Sequence, residues 1–192
     1  MILYHGTNTQ HLEKILTEGI KPRGKNQSNW EENPSRSDMV YLTNSYAPYF
    51  ALSQCEADQD FIKPVVIEVD VPTKKLFPDE DYLEQFTRND PEWKFLVDKC
   101  DMAERTAMFK NELTKYHEYG LQSLQGLGNC CFKGIIPPKR IKRYTILEAS
   151  LVLTYSDPTI TLMNQMFMGK QYHDICKNKI WEKPFSLNVF EV

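Results

Sequence analysis

An α+β domain is the fold class this sequence predicts, and three observations carry the expectation. Short β-prone runs recur along the chain, helical spacing of apolar residues fills the intervals between them, and 192 residues suit one core but not two ordinary domains. One domain spanning 1–192 is expected. Apolar residues make up 41% and charged residues 26% of the chain, which excludes a disordered or fibrous protein. The apolar stretches Val65-Val66-Ile67 and Ile135-Ile136 fall far short of the roughly 20 residues a spanning helix requires. Met1-Ile2-Leu3-Tyr4-His5-Gly6 has neither the basic start nor the apolar core of a secretory signal, so folding is expected from residue 1.

Taken in order, residues 2–5 form a short strand, Thr7 or Thr9 caps a helix, and Leu12, Ile15, Leu16 and Ile20 follow at helical spacing. Gly19 ends that helix and Pro22 secures the stop. Residues 23–38 lack apolar periodicity and read as a long loop, a length associated with functional lids. A second strand at 39–43 leads into a helix at 46–57 that turns Tyr49, Phe50 and Leu52 inward. The third strand, 65–71, passes from a continuous apolar run to alternation, and Pro72 closes it. A helical insertion at about 80–120 is broken near Pro91, with Trp93, Leu96, Val97, Met102 and Phe109 as its buried face. Beyond Gly120 the chain returns to β character at 130–132, 141–147 and 151–155, with Gly134 and Pro137-Pro138 as turns. Residues 159–181 predict a closing helix and 188–192 a last edge strand.

Five cysteines with no C-x-x-C pair, and four scattered histidines, argue for reduced thiols in the cytoplasm and against a metal site. Net charge is -3, but unevenly spread: residues 56–92 hold eleven acids and four bases, whereas 133–143 hold five bases and no acid. That basic run reads as a solvated turn or a localised phosphate-facing patch. No Ser/His/Asp hydrolase elbow, Walker loop or H-E-x-x-H helix is present.

Tyr4-His5-Gly6-Thr7 is by itself a short motif that a structural histidine would explain. Its setting is more specific: it leads into a helix ending Gly19-Ile20-Lys21-Pro22, then a polar loop, then Val40-Tyr41-Leu42-Thr43 and another helix. That order resembles the ADP-ribosyltransferase superfamily, in particular its histidine–tyrosine–glutamate type and the His-Gly-Thr toxin-like transferases of bacteria and phages. The resemblance covers the first 75 residues and about 120–147 best. It implies a split β-sandwich in which NAD, the substrate, lies across two small sheets without a Rossmann glycine fingerprint. It also implies that His5 bonds the adenosine-side ribose, that Gly6 lets the backbone approach the nicotinamide amide, and that Tyr41 stacks on nicotinamide with Thr43 supporting the pocket. Thr7, Tyr49 and Ser123 complete the implied cofactor contacts. A flat aromatic offers contact area at small entropic cost, and an imidazole selects a hydroxyl by a directional bond.

The third family element is a Glu that stabilises the oxocarbenium-like ribose formed as the glycosidic bond breaks. The matching stretch is Ser123-Leu124-Gln125, so the implied catalytic set is His5, Tyr41 and Gln125. Gln is nearly isosteric with Glu but neutral, and loss of a general base costs about 10²–10⁴ in rate. Gln125 is then an inactivating change of a glutamate, the preferred explanation, or another carboxylate serves: Glu118, Glu68 or the Pro78-Asp79-Glu80-Asp81 cluster. That cluster otherwise reads as a charge complement to a helix N-terminus ahead of Tyr82. Acceptors within the superfamily are proteins, DNA or RNA. The basic run and the aromatics Trp30 and Trp93 favour nucleic acid, RNA before DNA. Stand-alone relatives of this size look like toxins or phage-defence effectors, which implies an antitoxin partner and with it a chaperone. Three alternatives stay open: a protein-targeting transferase, a non-catalytic NAD-cleft binding module, and a tRNA 2′-phosphotransferase, although the last would place further basic residues beside His5.

Overall fold

The computed structural model describes residues 1–25, 35–55, 61–93, 99–148 and 176–192. Seven strands make one sheet: β1 (Ile2–Asn8), β2 (Met39–Thr43), β3 (Pro64–Asp70), β4 (Leu76–Pro78), β5 (Asn129–Lys133), β6 (Ile141–Leu147) and β7 (Ser186–Glu191). Their spatial order is β4-β5-β2-β1-β3-β6-β7, with every pair antiparallel. Among the described residues five α-helices accompany it: α1 (Thr9–Glu18), α2 (Ala47–Leu52), α3 (Glu80–Asn89), α4 (Met102–Glu112) and α5 (Gly120–Gly126). Helices with an antiparallel sheet make this the α+β class that the sequence predicts.

Several elements differ from expectation for identifiable reasons. β1 runs three residues beyond 5, so the cap of α1 falls on Asn8, whose side chain accepts from the Gln10 amide at 3.0 Å, rather than on Thr7 or Thr9. Gly19 ends α1 at φ +85°, where a Cβ would meet the Ile136 carbonyl oxygen at 2.3 Å. β3 lies between β1 and β6 and is buried through Val69, so its second half does not alternate between core and solvent. α2 stops at Leu52 and buries Ala47, Pro48 and Ala51, with Phe50 packed partly buried against the same cluster as expected, while Tyr49 and Leu52 are half-buried. The cause lies beneath it, since Gly6 brings strand and helix so close that a Cβ there would sit 2.5 Å from both the Ala47 oxygen and the Ala51 nitrogen.

In the insertion, Phe109 is buried and Trp93 packs partly buried beside it, but Met102 opens α4 behind the Asp101 cap and is exposed. Leu96 and Val97 lie outside the described residues, as do 151–155 and most of the expected closing helix, of which Lys179–Trp181 is a 3-10 turn. Residues 120–126 are helical, extending the insertion past its expected end before β5 begins.

The β1–β2 boundary sets the geometry of the site. β1 shares seven register partners with β3 but a single one, Tyr4 with Thr43, with β2. On one face the core runs unbroken across this seam, joining Leu3, Val40, Leu42, Ile67 and Phe132 with Ile15 of α1. Opposite, the apolar residues fall into two clusters, one around Tyr4, Ala47 and Val66, the other around Met39, Cys131 and Phe109.

Candidate functional site

Strand alternation places His5 on the face of Leu3 and Tyr41 on the face of Met39. The two side chains therefore leave the sheet on opposite faces at the seam, and they meet through the backbone. His5 Nδ1 lies 3.1 Å from the Tyr41 carbonyl oxygen. A carbonyl only accepts, so Nδ1 carries the proton and Nε2 is left as an acceptor. Burial lowers the His5 pKa against the opposing effect of that bond, and the ring is neutral at pH 7.

The Tyr41 hydroxyl is held from two sides. It donates to the Glu80 carboxylate, 2.8 Å from both oxygens, and accepts from the Arg36 amide at 3.0 Å. Arg36 in turn pairs with Asp38 at 2.7 and 2.8 Å and donates to the Lys110 carbonyl near the C-terminus of α4 at 2.8 Å. Burial, with the nearby Cys131, Glu80 and Asp79, pushes the Tyr41 phenol far above its ordinary pKa. Glu80 is the first residue of α3, and Asp79 caps that helix by accepting from the Asp81 amide at 3.0 Å. Burial raises the pKa of both Asp79 and Glu80. The Lys110 ammonium stands 3.9 Å from Glu80.

Two hydroxyls implied as cofactor contacts have their bonding committed within the fold. Thr43 donates to the Gly128 carbonyl at 2.7 Å and accepts from the Ser45 and Tyr46 amides, fixing the turn into α2. Ser123, fully buried, accepts from the Asp79 amide and donates to the Asn129 carbonyl at 2.7 Å. Thr7 is buried on β1 opposite Val65, and Tyr49 is half-buried with its ring edge-on to Phe50. Gly6 lies at the seam under α2. Gln125 is exposed on α5 and does not bond the Tyr41 hydroxyl, whose partners among the described residues are Glu80 and the Arg36 amide.

Of the alternative carboxylates, Glu118 is exposed and Glu68 accepts two bonds from Arg143. Glu80 is the one in contact with Tyr41, so the acidic cluster does more than complement a helix terminus. Arg36 and Lys110 escaped the sequence reading; an arginine within a polar loop and a lysine on a helix carry no spacing signal. In the basic run, Arg140 lies 3.6 Å from Asp70, and Arg143 pairs with Glu68 and stacks over the Trp181 ring at 3.9 Å. Lys133, Lys139 and Lys142 are exposed. Trp93 is engaged with Phe109 and Tyr116 rather than free to stack a base, and Trp30 lies outside the described residues.

No protein-family model matches this sequence, and no curated protein matches it. Among solved structures the chain is similar to EcPltA, at 13% identity and a TM-score of 0.42, over 77% of this chain and 75% of that one. A likeness of that degree carries no argument about activity. Among the described residues no helix is long and apolar enough to cross a membrane.

Proposed function

We propose that this chain is an NAD-dependent ADP-ribosyltransferase of the split β-sandwich type, a toxin or phage-defence effector that modifies nucleic acid, RNA before DNA. The observation that carries the reading is the junction of His5 with Tyr41 across a seam closed by one register pair. On the two sides of that seam, His5 offers Nε2 as an acceptor for a ribose hydroxyl and Tyr41 offers a phenol ring for stacking. The neutral imidazole suits this task, because it binds a hydroxyl without repelling the positive nicotinamide ring. Lys133, Lys139 and Lys142 supply the charge available to an acceptor's phosphates. An antitoxin, assisted by a chaperone, is the partner such an effector requires.

Gln125 favours a second reading, a non-catalytic module that keeps the NAD cleft, because a neutral amide cannot balance the cationic ribose of transfer. One experiment separates the two. The chain and its Gln125→Glu variant are each incubated with labelled NAD and total RNA, DNA or protein. Label entering RNA, and rising in the variant, upholds the transferase. NAD bound without label in any pool upholds the binding module, label in protein redirects the acceptor, and a cyclic phosphate released from 2′-phosphorylated RNA identifies a phosphotransferase. Absence of NAD binding overturns the proposal.

A further inference from the structure

We infer that Glu80 is a positioning residue of this site: through the Tyr41 hydroxyl it fixes the ring that faces the nucleotide, and it makes that ring responsive to acid. The inference rests on the transferase reading of the seam.

Three partners surround one phenol oxygen: both Glu80 oxygens at 2.8 Å and the Arg36 amide at 3.0 Å. The ring is thus tethered at its far end as well as at its Cα, and its hydroxyl cannot swing without breaking a bond to a charged acceptor. Arg36 reaches the same oxygen by its main chain, while its side chain is tied to Asp38 and to the end of α4. The tether therefore joins β2, α3 and α4. Glu80 is buried, and its one nearby cation, Lys110, stands at the outer limit of an ion pair. Beside its own main-chain amide, the Tyr41 hydroxyl is the short side-chain partner of its carboxylate among the described residues.

The groups that face Glu80 fix the sign of its response. Asp79, the cap of α3, Asp81 within it and Cys131 from β5 add or would add negative charge, and Lys110 from α4 offsets part of it. Burial raises Glu80, and its own main-chain amide, the Tyr41 bond and Lys110 hold it down. Protonation removes the charged half of the Tyr41 bond and loosens the ring. Tyr41 then reports a carboxyl titration that begins above the usual Glu range, and NAD affinity falls as that proton binds.

The test uses the full chain with ¹³C-labelled tyrosine, the Tyr41 ring signal being identified by its loss in Tyr41→Phe. In the wild type that signal moves through an acidic midpoint above the ordinary Glu value. In Glu80→Gln, which keeps size and an acceptor, the midpoint disappears; in the exposed control Glu118→Gln it persists. NAD titrations on the same samples show about threefold weaker binding for Glu80→Gln at pH 7 and tenfold or more for Glu80→Ala. The pH dependence of affinity flattens in Glu80→Gln, which a loss of packing alone would not produce. An unchanged Tyr41 midpoint in Glu80→Gln overturns the inference, whether or not NAD binds. A wild-type chain that shows the titration but binds no NAD upholds the Glu80–Tyr41 coupling and overturns the transferase reading instead.

Discussion

Each half of the sheet sets a tyrosine beside a buried glutamate, and the two arrangements are finished differently. On the β1-β3-β6-β7 side, Glu68 accepts from Arg143 at 2.8 and 3.1 Å, and the guanidinium is sandwiched further by the Trp181 ring. Tyr4 senses Glu68 as a charge, and its pKa rises chiefly through burial. On the β4-β5-β2 side, Glu80 has its cation 3.9 Å away and takes a tyrosine hydroxyl at 2.8 Å instead. The first carboxylate is neutralised in contact, as a core requires. The second has two more acids beside it, Asp79 and Asp81, and only a distant cation, and it bonds a ring beside the seam. The proposed function draws on the pair that is left in deficit.

Breaking the balanced pair should have the larger effect. Arg143→Ala strands Glu68 and strips the Trp181 face, and a loss on the order of 2–4 kcal/mol is expected, below the fully buried case because the arginine is 26% exposed. Urea unfolding measures it, and a loss under half a kcal/mol would erase the contrast. Tyr41→Phe removes the hydroxyl from Glu80 and the Arg36 amide, for about 1–2 kcal/mol. Unlike Arg143→Ala, it also shifts NAD affinity in the folded protein.

A third measurement sharpens the comparison through pH. Glu80 is raised above its unfolded value, so its contribution to stability is complete below the unfolded pKa and is lost as pH rises through the folded one. Wild type therefore gains on Glu80→Gln as pH falls from neutral toward the carboxylate range. The lowered Asp38 and Asp70 work in the opposite sense, losing stability as pH falls, but they cancel between the two proteins. A flat difference would remove the acid from the account of the site. The smallest effect is expected at Gln125→Ala, within about 0.5 kcal/mol in thermal or urea unfolding, because its side chain is exposed on α5.

Local chemistry made much of the scaffold readable. Met39–Thr43 and Ile141–Leu147 stand where β-branched runs bounded by polar turns placed them, and Gly19 ends α1 as its position required. Leu76–Pro78 was missed because three residues carry no period; they are a strand only because Phe132, Cys131 and Cys130 pair with them. Residues 120–126 looked like a passage back to β structure, yet Ser123 and Leu124 are buried in a short helix whose support comes from β4 and β5. His5 and Tyr41 were visible as a motif. The partner of Tyr41 was visible only as one acid among several, since its contact joins positions 39 residues apart and depends on how α3 docks against β2.

With one rung between β1 and β2 and at least three between every other neighbouring pair, a load applied across the sheet concentrates at a single place. The unbroken apolar layer beneath α1 spans that place and holds the two halves together. Parting the halves there would break one ladder pairing and the His5–Tyr41 contact in place of a full ladder.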